Sequence, residues 1–237
     1  MAGPYPRPQS PLDGVFWKDD FIQNAIATTT NVGEKGWEFA LIGNVSTVAY
    51  PTATDGGVLH LTTNATANGD GTYFRQFTDG LVINSGSGGF SFRAQLVDQI
   101  ASNNFRIGLD DSITATAPTK GICVQCDGGV ISLRSDSAAH GDDIIAAAGV
   151  STLTSGTTMV VATWHTFEVI WSGTNAQGGP RLVELYIDGE LAGSLLSDID
   201  DDETVELKII HWQDSGGALA VELYVDWFEY WQWIDRS

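Results

Sequence analysis

From residue 16 to 234 apolar and polar residues trade places at every second position, in short stretches that a glycine or an Asp-Gly pair soon stops. Successive side chains of a β-strand point to opposite faces, so this alternation builds strands with one buried face. Over 89–96, Phe90, Phe92, Ala94 and Leu96 share one parity. Over 166–171, Phe167, Val169 and Trp171 share one parity and Glu168 takes the other. Only 97–102 and 142–148 read as short helices. Many strands without alternating helices predict an all-β chain, a two-sheet antiparallel β-sandwich and not an α/β sheet. Strands are expected at 16–22, 37–41, 47–50, 58–62, 72–77, 89–96, 105–109, 121–126, 130–134, 159–162, 164–172, 181–187, 190–197, 205–212 and 218–233. Asp127, Gly128 and Gly129, and again Asp188 and Gly189, lie between strands and suit the positive φ of a tight hairpin. Asp79 and Gly80 read as a further turn.

At 237 residues and 43% hydrophobic the chain is long enough to bury a full core. Its formal charge of −19, from 11 basic and 30 acidic residues, excludes the classes that need cations. Nucleic acid is not an expected partner, because displacing counterions from phosphates takes lysines and arginines. An anionic membrane surface is excluded on the same ground. No apolar run approaches the ~18 residues of a membrane helix. The N-terminus lacks the basic and apolar regions of a signal peptide, so the sequence predicts no signal peptide and no export by the general secretory route.

Two parts are expected. Residues 1–14, with Pro4, Tyr5, Pro6, Pro8 and Pro11, read as an extended arm, because proline fixes φ and removes an N–H donor. Such an arm is an assembly device when the domain's own surface or a neighbouring chain holds it. Residues 15–237 read as one sandwich domain.

Trp164-His165-Thr166-Phe167-Glu168-Val169-Ile170-Trp171, followed by Val183-Glu184-Leu185-Tyr186-Ile187-Asp188-Gly189-Glu190, resembles the paired strands near the end of concanavalin A-like lectin/glucanase domains. The closing Leu223-Tyr224-Val225-Asp226-Trp227-Phe228-Glu229-Tyr230-Trp231 looks like that family's last strand, and Phe16-Trp17-Lys18-Asp19-Asp20-Phe21 like its first. The resemblance implies a jelly roll. It does not imply one function, since lectins, hydrolases, lyases and structural proteins share the fold. Asp19-Asp20-Phe21, Gly36-Trp37-Glu38 and Gly57-Val58-Leu59-His60-Leu61, in an acidic chain rich in Gly and Thr, also look like virion proteins of tailed bacteriophages.

Glucanases of this family carry Glu-x-Asp-x-x-Glu on one strand of the concave sheet, where two carboxylates on one face act as nucleophile and acid/base. The nearest approach here is Glu222, Asp226 and Glu229. Glu222 and Asp226 share parity and Glu229 does not, so a regular strand sends it to the other face. Lyases of the family would show a Gln-x-His strand. Here Ile209-Ile210-His211 lacks the Gln, and Tyr73-Phe74-Arg75 is a faint echo of another motif. His60, His140, His165 and His211 form no metal or nucleophile spacing, and no catalytic residue or bound cofactor is predicted.

Cys123 and Cys126 form a C-x-x-C within a strand, with no second ligand pair for zinc. They are expected to be buried free thiols. Asp198, Asp200 and Asp202 are the candidate calcium ligands, in a loop without EF-hand spacing that reads first as a solvated acidic turn. Trp212, Trp231 and Trp233 are the candidate interface or glycan-stacking aromatics. The sequons at Asn44 and Asn64 matter only on a eukaryotic secretory route.

The expectation is therefore a non-enzymatic virion protein, made in the host cytoplasm and decorating a capsid surface. Its partners would be the major capsid protein and its own copies, as a homo-oligomer such as a trimer. The alternative is a carbohydrate-binding, lectin-like module, and the third reading is a glycoside hydrolase or polysaccharide lyase.

Overall fold

A computed structural model describes residues 14–21, 37–43, 47–49, 57–63, 69–83, 87–98, 100–201, 203–214 and 220–233. The strands are β1 (Gly14–Asp19), β2 (Glu38–Ile42), β3 (Thr47–Ala49), β4 (Leu59–Thr62), β5 (Gly71–Val82), β6 (Gly88–Leu96), β7 (Asn103–Asp110) and β8 (Gly121–Asp127). They continue as β9 (Val130–Ser137), β10 (Gly141–Ala146), β11 (His165–Thr174), β12 (Pro180–Ile187), β13 (Glu190–Leu196), β14 (Thr204–Gln213) and β15 (Glu222–Trp233). An eight-stranded sheet runs β13-β12-β11-β6-β15-β4-β3, with β1 added beside β15. A seven-stranded sheet runs β10-β9-β8-β7-β14-β5-β2. All described pairings between named strands are antiparallel. The predicted two-sheet β-sandwich is the observed fold.

The alternating parities meet in the space between the sheets. Phe167, Phe92 and Phe228 stand opposite one another on β11, β6 and β15. Phe92 stacks on Phe167 at 4.8 Å between ring centroids and lies 6.4 Å from Phe228. From the facing sheet Phe105 meets Phe92 edge-on at 6.4 Å. Offset and edge-to-face contacts of this kind add to the area the rings bury.

At the domain's opening, Asp19 is fully buried, and its carboxylate accepts from the Phe21 backbone N–H at 2.8 Å and from Trp37 Nε1 at 3.1 Å. These bonds hold Phe21 at φ 53°, a conformation a bulky residue rarely takes without such support.

Both predicted hairpins are present. Gly128 and Gly129 (φ 54° and 84°) join β8 to β9, and Asp188 and Gly189 (φ 51° and 85°) join β12 to β13. Elsewhere the local reading is corrected. Residues 142–148 form no helix: β10 pairs with β9, whose ladder satisfies backbone groups that the alanine-rich run would otherwise bond within itself. Of 97–102, only a 3-10 turn at Ile100–Ser102 is helical. Residues 159–162 are not a strand; Ala162 has φ 54°, and its N–H donates to Leu96 O. Asp79 and Gly80 do not end a strand. β5 runs through them, and its register against β14 shifts there in a bulge. The last strand begins at Glu222, four residues later than expected.

Cys123 and Cys126 are buried free thiols, as predicted, and burial pushes both thiols well up. Pro4, Tyr5, Pro6, Pro8 and Pro11 lie outside the described residues, as do Asn44 and Asn64.

Candidate functional site

Each sheet has one face in the core and one turned outward, and the two outward faces differ in what fills them. On the seven-stranded sheet the outward side chains form a charge ladder. Arg106 pairs with Asp110 beside it on β7. Lys208 reaches Glu206 at 3.0 Å, and Arg75 reaches Glu38 at 2.9 Å and Glu206 at 3.6 Å. Arg134 lies between Asp136 (2.9 Å) and Asp142 (3.3 Å). Four cations therefore meet five carboxylates.

The middle of the ladder is roofed, while Glu38 and Asp142 at its ends are exposed. Arg106 Nη2 donates to Thr114 O in the β7–β8 loop, and Asp111 ties the end of that loop through the Thr119 and Lys120 N–H groups. Arg106, Asp110, Asp136 and Lys208 are all at most 1% exposed. Burial pushes Asp136 up to about 6 and outweighs the opposing pull of Arg134, while nearby Asp142 adds to the rise. Trp212 lies on this face, 4% exposed, with Arg106 over its ring at 5.7 Å. It belongs to this closed network.

The outward face of the eight-stranded sheet holds a groove of about 550 Å³. Cross-strand register builds its floor. Tyr186 stands opposite Glu168, Glu168 opposite Ser91, Ser91 opposite Glu229, and Glu229 opposite Lys18. Five strands thus contribute one residue each to a single lateral row, and all five line the groove. Trp227, Thr166, Asp188 and Gly189 complete the lining. Ser91 Oγ donates to Glu229 Oε1 at 2.6 Å. Asp188 is spoken for: it accepts from the Thr166 N–H (2.8 Å), from Thr152 Oγ1 (2.5 Å) and from the His165 ring (2.8 Å). Those bonds hold its carboxyl below the usual range against the opposing effect of burial.

The row exists because β15 is not a regular strand. Val225 pairs with Ala94 and Trp227 with Arg93, so Asp226 is an extra residue in a bulge. Parity reverses there. Leu223 and Val225 face the core before it, Phe228 and Tyr230 after it. The expectation that Glu229 faces away from Asp226 is corrected: Asp226 bonds Arg93 on the same outward face on which Glu229 bonds Ser91. Arg93 in turn lies 4.9 Å over the Trp164 ring, which extends the aromatic and charged surface past the groove.

The predicted sites are otherwise dispersed. Trp231 is 2% exposed, its ring lying where a Cβ on Gly89 would stand, so Trp212 and Trp231 form no exposed aromatic row. Trp233 is half-buried at the end of β15. Asp200 Oδ1 lies 3.5 Å from His140 Nε2, and Asp198 Oδ1 is buried. Asp202 lies outside the described residues, among which no three His, Cys, Asp or Glu side chains converge on a metal position. Each histidine has its own acceptor or ion-pair partner: His60 meets Glu222, His140 Asp200, His165 Asp188 and His211 Asn103. Of the groove residues, only Glu229 in the near-glucanase motif and Trp227 in the aromatic-rich last strand stand out in the sequence, neither of them as part of a lateral row.

No family model matches the chain, and no curated protein matches it in sequence. Solved structures do resemble it. One is a protein of unknown function from Shewanella oneidensis MR-1, at a TM-score of 0.60 and 14% identity over 95% of this chain and 89% of that one. Another is a prokaryotic beta-1,3-1,4-glucanase (lichenase) derived from a mouse hindgut metagenome, at 0.58 and 13% over 91% and 98%. A third is botulinum neurotoxin type C, whose cell entry depends on interaction with two ganglioside molecules, at 0.55 and 11% over 94% of this chain and 49% of that one. The chain thus spans about half the length of the toxin chain it matches. Identities this low establish the jelly-roll fold, which enzymes and binding domains share, and carry no link to a phage.

Proposed function

We propose that the chain is a lectin-like, carbohydrate-binding domain whose binding face is the groove on the eight-stranded sheet. The observation that carries this reading is the lateral row from Tyr186 to Lys18 with Trp227 beside it. A saccharide has apolar C–H faces and a rim of hydroxyls. Tyr186 and Trp227 offer flat apolar rings to the first, and Glu168, Glu229, Ser91 and Thr166 offer hydrogen-bonding groups to the second. The likeness to a toxin that engages gangliosides supports the class of ligand and nothing finer. The reading is of binding without turnover.

The test is a glycan array with the purified protein, followed by titration calorimetry on the best ligands with Trp227→Ala and Tyr186→Ala. Each substitution is expected to weaken binding by about tenfold or more, the loss of one stacked ring. A wild type that binds no glycan, or variants that bind as well as it does, would overturn the reading. Reducing ends released from a bound glycan would overturn the binding-only half of it.

A second reading, decoration of a capsid surface as a homo-oligomer, has one feature in its favour. Val15 and Phe16 on β1 are 43% and 49% exposed, immediately after the proline-rich residues 1–13. Light scattering on the full chain and on a chain lacking 1–13 tests it: an oligomer that dissociates on deletion supports the reading, and monomers in both cases remove self-association.

A further inference from the structure

We infer that the groove is one of two saccharide subsites on this face and that the ring pair Trp164 and Tyr224 is the second, so that the domain holds a long linear glycan more tightly than a short one. The inference rests on the glycan-binding reading. On β6 the outward positions Ser91, Arg93 and Gln95 alternate with the core residues Phe90, Phe92, Ala94 and Leu96. Ser91 belongs to the groove row. Gln95 stands opposite Tyr224, and Tyr224 opposite His60, which makes a second lateral row across β6, β15 and β4. The four residues from Ser91 to Gln95 set the two rows about 13 Å apart. Trp164, the residue before β11, brings its ring to the second row, 6.3 Å from that of Tyr224 and tilted 37° to it. Tyr224 meets His60 edge-on at 4.5 Å, and His60 Nε2 lies 3.1 Å from Glu222 Oε2 and 3.0 Å from Thr62 Oγ1, which fixes the imidazole beside the rings.

Arg93 joins the two rows. It stands opposite both Thr166 and Trp227, which line the groove, and its guanidinium lies 4.9 Å over the Trp164 ring. Its side chain is 41% exposed and that of its partner Asp226 29%, so solvent reaches the surface between the rows. The path from Trp227 past Arg93 to Trp164 is thus continuous, with flat rings at both ends and hydrogen-bonding groups between them. A chain of pyranoses repeats an apolar face and a hydroxyl rim at every unit, and this surface repeats their complements. A disaccharide seated in the groove stops short of Trp164, whereas a hexasaccharide running along the strands covers both rows. The second subsite engages a chain already held by the first, so its contribution goes to the affinity for long chains.

The experiment compares, by calorimetry, the disaccharide and the hexasaccharide of cellulose, of mannan and of chitin. On the backbone that binds, the hexasaccharide is expected to bind the wild type about tenfold or more tighter than the disaccharide, the gain of a second stacked subsite. Trp164→Ala, or Tyr224→Ala where the first fails to fold, is expected to erase that gain and to leave the affinity for the disaccharide unchanged. Trp227→Ala, in the groove, is expected to weaken both lengths. A wild type that binds no hexasaccharide more tightly than its disaccharide overturns the inference and leaves the glycan reading standing. So does a Trp164→Ala variant that keeps the full gain. An equal loss for both lengths in Trp164→Ala shows that the ring acts by holding the fold, and it too overturns the inference. Absence of binding to all three backbones, together with a silent array, overturns both readings.

Discussion

His211 is expected to make the fold acid-sensitive, and the hydrogen bonds around it say by how much. Asn103 donates from Nδ2 to the carbonyls of Asp98 (3.2 Å) and Glu222 (2.9 Å), which leaves its Oδ1 as acceptor toward His211 Nε2 at 2.9 Å. The neutral ring therefore carries its proton on Nε2. A second proton would have to go on Nδ1, which is buried and has no hydrogen-bond partner among the described residues. Burial, with a smaller effect from His60, pushes the ring down from 6.5 to about 3. A base whose folded pKa is depressed contributes stability that is present above the unfolded value and is lost as pH falls toward the folded one. Between pH 7 and pH 4 the unfolded chain takes up a proton that the folded chain refuses, at a cost of about 3 kcal/mol. Urea unfolding followed by tryptophan fluorescence at both pH values, on wild type and His211→Gln, isolates this contribution, because every other titrating group is common to the two. The wild type is expected to lose about 3 kcal/mol more than the variant over that interval. Equal losses would refute the burial of a neutral His211 and the tautomer assigned to it.

Two further expectations follow from the packing. Asp136, raised to about 6, is a carboxyl that the folded state prefers protonated, so its contribution grows as pH falls from about 6 toward 3.8. Asp136→Asn should remove about 2 kcal/mol of that gain, read as the change in stability difference between pH 6 and pH 4. A Cβ on Gly89 would stand 2.5 Å from both the Trp231 ring and Val169 O, so Gly89→Ala is expected to destabilise the fold by about 3 kcal/mol in urea unfolding.

What the sequence makes legible is whatever depends on neighbours in the chain. The parity of Phe90 to Leu96 and of Phe167 to Trp171, and the turns at Gly128 and Gly189, are local, and they specify the sandwich. The alanine-rich 142–148 misleads because helix propensity takes no account of strand pairing, and β9 captures β10 across the short turn at 138–140. The groove is illegible for the same reason. Its floor joins Lys18, Ser91, Glu168, Tyr186 and Glu229, which only strand order and register bring into one row. The parity argument against Glu229 is sound for a regular strand and fails at Asp226, where no glycine or proline announces a bulge.

That bulge also fixes which changes of length this strand can survive. Loss of the single codon for Asp226, with the flanking ladder kept in place, would restore strict alternation to β15 with Val225 still opposite Ala94 and Trp227 still opposite Arg93. Phe228 and Tyr230 would keep their places in the core and Trp227 and Glu229 theirs in the groove, so heredity could shed Asp226 and its bond to Arg93 without dismantling the row. A codon lost between Trp227 and Tyr230 has no such slack, because the residues beyond it would turn to the opposite face.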